Sequence, residues 1–199
     1  MADMEKTGKN LEGRGFRVHR FAFGAEAAEF LVQTLHGTSI GIGGSVTIDT
    51  LGVYDRLCES NEVFWHWKNH APETRERAGK AETYLCSANG VSENGEIVNI
   101  DGFGNRVAGT IYGPERVFLV VGRNKIAPDL TGAIDRARNI AAPLNARRLN
   151  RHTPCAVGEP RCHDCRSPEK VCGVMTVFFM PPTSIKEFHV ILVDEDLGY

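Results

Sequence analysis

Seven residues, Arg116 to Gly122 (RVFLVVG), constrain the fold more than any other stretch of the chain. A strand that is apolar on both faces must be covered on both, which places it centrally in a sheet with helices above and below. The rest of the chain supplies such layers. Phe16 to Phe21 alternates apolar and basic residues as a half-buried strand does. Ala25 to His36 carries Ala28, Leu31, Val32 and Leu35 on one face of an amphipathic helix, closed by Gly37. Glu62 to Trp67 reads as a strand bearing both tryptophans, and Ala71 to Ala81 as a charged helix with Pro72 in its first turn. Thr83 to Ala88 is an apolar strand. Val91 to Val107 is a hairpin-like excursion bracketed by two turn signals. Asp129 begins a helix over Pro128 to Ala142, and Pro143 starts or kinks a second segment through Leu149. Two apolar strands, Val174 to Met180 and Phe188 to Val193, flank Pro181-Pro182. This alternation predicts an α/β domain with a mainly parallel sheet. The chain has 199 residues, 42% of them hydrophobic, enough for one domain over 16–199. Residues 1–15 read as a short polar segment, frayed or a helix remnant.

Between Arg151 and Gly173 the sequence RHTPCAVGEPRCHDCRSPEKVCG sets Cys155, Cys162, Cys165 and Cys172 at the spacing C-x6-C-x2-C-x6-C. Pro154, Pro160, Pro168, Gly158 and Gly173 oppose helix and strand here. Ligation by four thiolates would hold such a loop. Two disulfides are the first alternative, but no N-terminal apolar signal segment is seen, so a reducing cytoplasm is expected. Unligated cysteines are the second, and the density of the cluster argues against them. Zinc favours two C-x2-C knuckles and the loop has one, whereas a 4Fe-4S cluster needs one thiolate per iron. The cluster is preferred, with zinc as the alternative. His163 reads as an exposed loop residue or a donor to sulfur. Cys86 reads as core, and Cys58 carries no role.

Ser39 to Thr50 (SIGIGGSVTIDT) is a strand, a glycine pair and a helix start, with the helix expected to run to about Leu57. Backbone N–H groups at such a junction seat anions, so Gly43, Gly44, Ser45 and Thr47 are candidate ligand residues. A tight turn capped by Ser45 is the plainer reading. No Walker lysine follows, and G-x-G-x-x-G fails at Val46. Asn124 and Lys125 follow the central strand, where open α/β sheets bind ligands. Ser87, Asn89, Asn99 and Asn105 are further ligand candidates; Lys125, Glu93 and Asp101 are weak catalytic ones. His66, between the tryptophans, is either a ligand-facing base or a satisfied interior histidine. Arg136, Arg138, Arg147 and Arg148 read as a solvated basic face, and Asp194-Glu195-Asp196 as a strand cap or a subunit contact. A net charge of −2 without a basic run gives no electrostatic basis for nucleic-acid binding. The longest apolar stretch, Val174 to Pro182, is too short to span a bilayer.

Five runs carry a family resemblance: GIGGSVT (Gly41 to Thr47), SANGVSENGEIVNIDGFGNRVAG (Ser87 to Gly109), VVGRNKIAPDL (Val120 to Leu130), AAPLNARRL (Ala141 to Leu149) and HVILVDEDLGY (His189 to Tyr199). Together they resemble the LUD-domain, or lactate-utilisation domain, family, in its single-domain branch with a C-terminal cysteine loop. The resemblance spans roughly Phe16 to Tyr199. It implies a Rossmann-like three-layer sandwich of the sugar-phosphate isomerase, CoA-transferase and 5-formyltetrahydrofolate cyclo-ligase type. It also implies an anion or small-acid pocket at the GGSxT turn. Members usually have a longer N-terminal helix, of which only a remnant fits before Arg14.

The best-known members belong to a system that oxidises L-lactate to pyruvate and passes electrons to iron–sulfur partners. The resemblance therefore implies an iron–sulfur electron-transfer or accessory protein for lactate or a related small organic acid. Its ligand would be that acid or a phosphorylated metabolite, and a redox protein partner or a homo-oligomer is compatible with it. Two other readings stand beside it. One is a non-redox isomerase or cyclo-ligase with a structural zinc, using Glu93 or Asp101 as base and Lys125 as oxyanion stabiliser. The other is a small-anion-binding regulatory protein. Fold analogy does not choose among them.

Overall fold

The computed structural model, which describes residues 3 to 199, runs through its elements in this order. They are α1 (Met4–Gly13), β1 (Arg17–Phe21), α2 (Gly24–Thr34), β2 (Ser39–Ile42), α3 (Val46–Leu51), α4 (Tyr54–Cys58) and β3 (Glu62–Trp65). Then come α5 (Thr74–Lys80), β4 (Thr83–Ser87), β5 (Gly90–Ser92), β6 (Ile97–Asp101), α6 (Asn105–Ile111), β7 (Arg116–Gly122) and β8 (Ile126–Ala127). The chain closes with α7 (Leu130–Arg136), α8 (Ala142–Arg148), α9 (Pro154–Val157), β9 (Val174–Phe178) and β10 (Glu187–Val193). Six strands form a sheet in the order β1-β10-β7-β4-β2-β3, with every pairing parallel.

β7 is interior, as its composition requires. Val117, Leu119 and Val121 enter one core, while Phe118 and Val120 enter the other. β10 divides in the same way, with Phe188, Val190 and Leu192 on one side and Ile191 and Val193 on the other. This period of two generates the three layers. Ala27, Ala28 and Leu31 of α2, Ile48 of α3 and Leu57 of α4 cover one face. Leu11 of α1 and Ala78 of α5 cover the other. Each fully buried leucine or isoleucine among them contributes about 1.5–3 kcal/mol. Gly41 of β2 permits the close packing of α5, because a Cβ there would sit 1.9 Å from the Ala78 carbonyl oxygen.

A second sheet, in the order β8-β5-β6-β9, is built on the expected hairpin. β5 and β6 are antiparallel, and β9 adds antiparallel to β6. Val98, Ile100, Ala133, Ala137 and Ala142 form its core, with Cys172 and Met175 packed against it. The cysteine segment thus lies between α8 and β9. Apart from the single turn α9 it has no regular structure, as its prolines predict.

Several boundaries differ from expectation. The helix expected from Ser45 to Leu57 is two, because Gly52 turns left-handed at φ 64° and ends α3. The strand expected through Trp67 stops at Trp65. α6 was hidden under a glycine-rich turn signal. Pro143 does fall in the first turn of a second segment, α8, as expected. α7 and α8 are joined by a π-helical turn, Ala137–Ala141. Residues 3–13 are neither frayed nor a remnant: Asp3 caps a ten-residue helix, accepting from Lys6 N at 2.8 Å, and Leu11 is fully buried. Leu11→Ala is therefore expected to cost about 2–5 kcal/mol in urea denaturation; a change within ~0.5 kcal/mol, usual for a loose segment, would contradict this packing.

Candidate functional site

The carboxyl ends of β2, β4 and β7 open onto one cavity of about 730 Å³. Gly44, Ser45 and Thr47 follow β2, Ser87 ends β4, and Lys125 follows β7. Parallel sheets concentrate ligand sites at this edge. Ser45 caps α3, its Oγ accepting from Ile48 N at 3.2 Å. That helix has only six residues, so it adds little dipole, and the charge of the site lies elsewhere.

Lys125 lies at its centre. Its side chain is buried, 3% exposed for the residue, and Nζ donates to Thr47 Oγ1 and Ser87 Oγ, both at 2.7 Å. Both hydroxyls spend their own hydrogens on carbonyls, Thr47 on Leu197 O at 3.2 Å and Ser87 on Val120 O at 2.6 Å. Two guanidiniums stand behind. Arg106 Nη1 donates to Ser87 O and Asn99 Oδ1, and Nη2 to Asn89 Oδ1 and Ile100 O, at 2.6–2.9 Å. Arg136 donates from Nε to Asn124 O at 2.7 Å and from Nη1 to Asn89 O. All these acceptors are neutral, so two guanidiniums and the Lys125 amine share the floor of the cavity without a carboxylate hydrogen-bonded to their side chains among the described residues. Burial, with Arg136 and Arg106 nearby, holds the Lys125 amine well below the ordinary lysine range. Burial likewise lowers Arg136 to about 10.

Further cations line the walls: Arg75, Arg148, Arg151 and Lys170. The Arg148 guanidinium lies 4.6 Å from the Trp67 ring centroid, and Trp67 stacks in turn on Trp65. His66 also lines the cavity. Its Nδ1 is buried without a partner, and desolvation lowers its pKa. Against these cations stand Asp101 and Glu169. Asp101 accepts from the N–H groups of Phe103, Arg106 and Val107, which commits its carboxylate to starting α6.

The cavity thus gathers Gly44, Ser45, Thr47, Ser87, Asn89, Asp101, Asn105 and Lys125. It does not gather four other candidates. Gly43 lies beneath it, its N–H on Leu85 O. Asn99 is fully buried behind Arg106, with Nδ2 unpartnered. Asn124 instead holds the Leu197–Gly198 segment, accepting from Leu197 N and donating to Gly198 O at 3.1 Å. Glu93 sits at the hairpin tip against α1, where Asp3 N and Lys6 Nζ hold its pKa low, the opposite of a base. Arg136 is not part of a solvated face. Its signal was its position between Ala133 and Ala137 on the buried stripe of α7. Arg106 had no sequence signal beyond following Asn105.

The four loop cysteines surround a second cavity of about 280 Å³, and all four are free thiols. Among the described residues no three Cys, His, Asp or Glu side chains converge closely enough to hold a single metal ion. Cys162 Sγ accepts from Asp164 N and from Arg138 Nη2, both at 3.4 Å. Asn139 Oδ1 holds Cys162 N at 2.9 Å, and Lys170 Nζ reaches Cys165 O at 3.5 Å. Half-buried thiols, N–H donors to sulfur and flanking cations are the surroundings in which a thiolate-bound cluster sits. His163 is exposed, and its Nε2 meets Glu159 O at 3.2 Å. Ile100, Ala142, Lys170 and Val171 line both cavities, which therefore share a wall.

The lowered pKa of Lys125 has a thermodynamic sign. Between its folded value and the ordinary lysine range the unfolded chain binds the extra proton, so stability rises with pH through that window. Lys125→Met is expected to flatten this rise and stabilise the empty protein by about 0.5–2 kcal/mol, while weakening anion binding. Chemical denaturation at pH 7 and 9 measures it; a destabilised variant with unchanged pH dependence would count against a desolvated amine.

A family model described as the LUD domain matches residues 4–193. The match begins within α1, so the family likeness extends further towards the N-terminus than the motifs alone indicate. A solved structure, described as a DUF162 family protein from Deinococcus radiodurans at 1.70 Å resolution, is similar with a TM-score of 0.56. Its identity to this chain is 12%, and the alignment covers 96% of this chain and 95% of that one. At that identity the likeness supports the fold. No curated protein matches the sequence. With its motifs, its three-layer sheet and a family model spanning nearly its whole length, the chain belongs to the LUD-domain family.

Proposed function

We propose that this protein binds a small organic acid, or a phosphorylated metabolite, in the Lys125 cavity. In the same reading Cys155, Cys162, Cys165 and Cys172 hold a 4Fe-4S cluster in the adjoining one. The protein then serves as an electron-transfer or accessory protein in the oxidation of lactate or a related acid, in a reducing compartment such as the cytoplasm. The observation that carries this reading is the wall common to the two cavities. A ligand on Lys125 and a cluster on the cysteines would be neighbours, separated by Ile100, Ala142 and the Lys170–Val171 pair that leads into Cys172. When bound, the cluster would supply single-electron chemistry.

This chain's own residues contribute binding, orientation and insulation. The guanidiniums of Arg106 and Arg136, bonded to neutral acceptors alone, favour an anion, because a desolvated charge without a partner is costly until one arrives. Arg106 and Arg136, fixed by neutral acceptors, hold Ser87, Asn89 and Asn124 in position. Arg148 and Trp67 form one side of the entrance. The spacing C-x6-C-x2-C-x6-C, with one C-x2-C pair, suits a cluster over zinc, because each thiolate of a cluster binds a different iron. Arg138 and Asp164 N, on Cys162, would stabilise thiolate charge.

Iron and sulfide analysis of anaerobically purified protein, with a visible absorption spectrum, tests the proposal. About four irons and four sulfides per chain, with a broad band that bleaches on reduction, is the expected result. Cys165→Ser should lose most of the iron. A single zinc and no colour would make the loop a structural staple and end the redox reading.

A further inference from the structure

The geometry points to Lys125 as a nucleophile that condenses reversibly with an anionic aldehyde or ketone, such as a 2-oxo acid, to form an imine. The inference rests on the Lys125 cavity being an anion site, and not on what the cysteine loop holds. Thr47 and Ser87 hydroxyls each donate to a carbonyl oxygen, so towards Lys125 they act only as acceptors. Nζ must therefore donate to both of them. Its remaining tetrahedral position is fixed by elimination. In the neutral amine that position is the lone pair, and Lys125 lines the cavity. Burial and the neighbouring guanidiniums favour the neutral form. Desolvation or an adjacent cation is the usual way a lysine is made nucleophilic.

The surrounding charge selects the partner. Arg148, Arg75 and Lys170 line the same cavity and fit the carboxylate or phosphate of the incoming molecule. A carbonyl matches the amine because the condensation needs no oxidant and no leaving group other than water. The Nζ–C bond forms as the lone pair enters the carbonyl carbon, and a proton moves from nitrogen to oxygen. The C–O bond then breaks, and the oxygen departs as water with the second amine hydrogen. The hydrogen bonds to Thr47 and Ser87 are released as those hydrogens leave, so hydrolysis, which restores them, keeps the step reversible.

Reductive trapping tests this. The full chain is incubated at pH 7 with glyoxylate or 2-oxoglutarate and cyanoborohydride, which adds hydride to the imine carbon, and is then mapped by peptide mass. Lys125 is expected to be labelled at least ~10-fold faster than exposed lysines such as Lys9 and Lys186, since each pH unit by which an amine's pKa falls towards neutrality raises its free-base fraction about tenfold. Labelling confined to surface lysines, or to Lys170, overturns the inference. Lys125→Arg should bind the same probes and yield no adduct at this position. Calorimetric titration without the reductant separates the two readings. Probe binding with no Lys125 adduct ends the imine and leaves the anion site; no binding and no adduct ends both.

Discussion

Two guanidiniums join the halves of this fold. Arg106 takes the carbonyl of Ser87 at the end of β4, the side chain of Asn89 before β5, and Asn99 and Ile100 in β6. Arg136 takes the carbonyls of Asn89 and Asn124. The parallel sheet and the small antiparallel sheet are therefore fastened by cations bonded to neutral oxygens, at the place where a ligand would sit. Hydrogen bonds from charged donors are worth more than neutral ones, about 1.5–3 kcal/mol each. The positive charge they bring remains unneutralised. The interactions that assemble the cavity are thus the ones that leave it wanting an anion.

Lys125 belongs to the same arrangement but differs in kind. A guanidinium keeps its proton under almost any burial, whereas an amine gives it up. Packing a lysine beside two arginines lowers the pKa of its amine and so favours the neutral base. A negative ligand would reverse that shift by its own field. The state of the lysine and the occupancy of the cavity are consequently linked. Stability is given up at the floor of the site for a group that changes character when the site fills.

Much of the architecture was legible in the residues. RVFLVVG had to be interior because everything after its leading arginine is apolar, and β7 is interior. The hairpin after β4 was readable from Asn94-Gly95. The four cysteines announced a common site by spacing alone, and they line one cavity. What was not legible had physical causes. Gly52 breaks a helix whose apolar pattern continues across it. Gly102 to Gly104 reads as a turn and conceals the start of α6. Leu11 is the single large apolar anchor in a polar run, so α1 looked loose. Arg136 and Asn124 were misjudged because side-chain direction depends on tertiary context: one arginine of a basic run points inward, and one asparagine of a lining loop points away. Glu93 and Asp101 looked like bases until their partners were seen. Backbone amides and Lys6 already claim them.

The π-helical turn at Ala137–Ala141 sets the phase between the two cavities. Such a turn holds one residue more than a regular helix would, so α8 leaves it rotated relative to a continuous α7. Arg136, before the turn, faces the ligand floor; within it, Arg138 reaches the Cys162 sulfur and Asn139 holds the Cys162 backbone N–H. Beyond it, Ala142 faces both cavities, Ala146 the sulfurs, and Arg148 reaches Trp67. Removing one residue there would restore a plain helix and swing α8 by about 100°. Every side chain would survive, yet those on α8 would serve the wrong cavity. A surplus residue in a helix works here as a gear tooth, keeping two chambers in step.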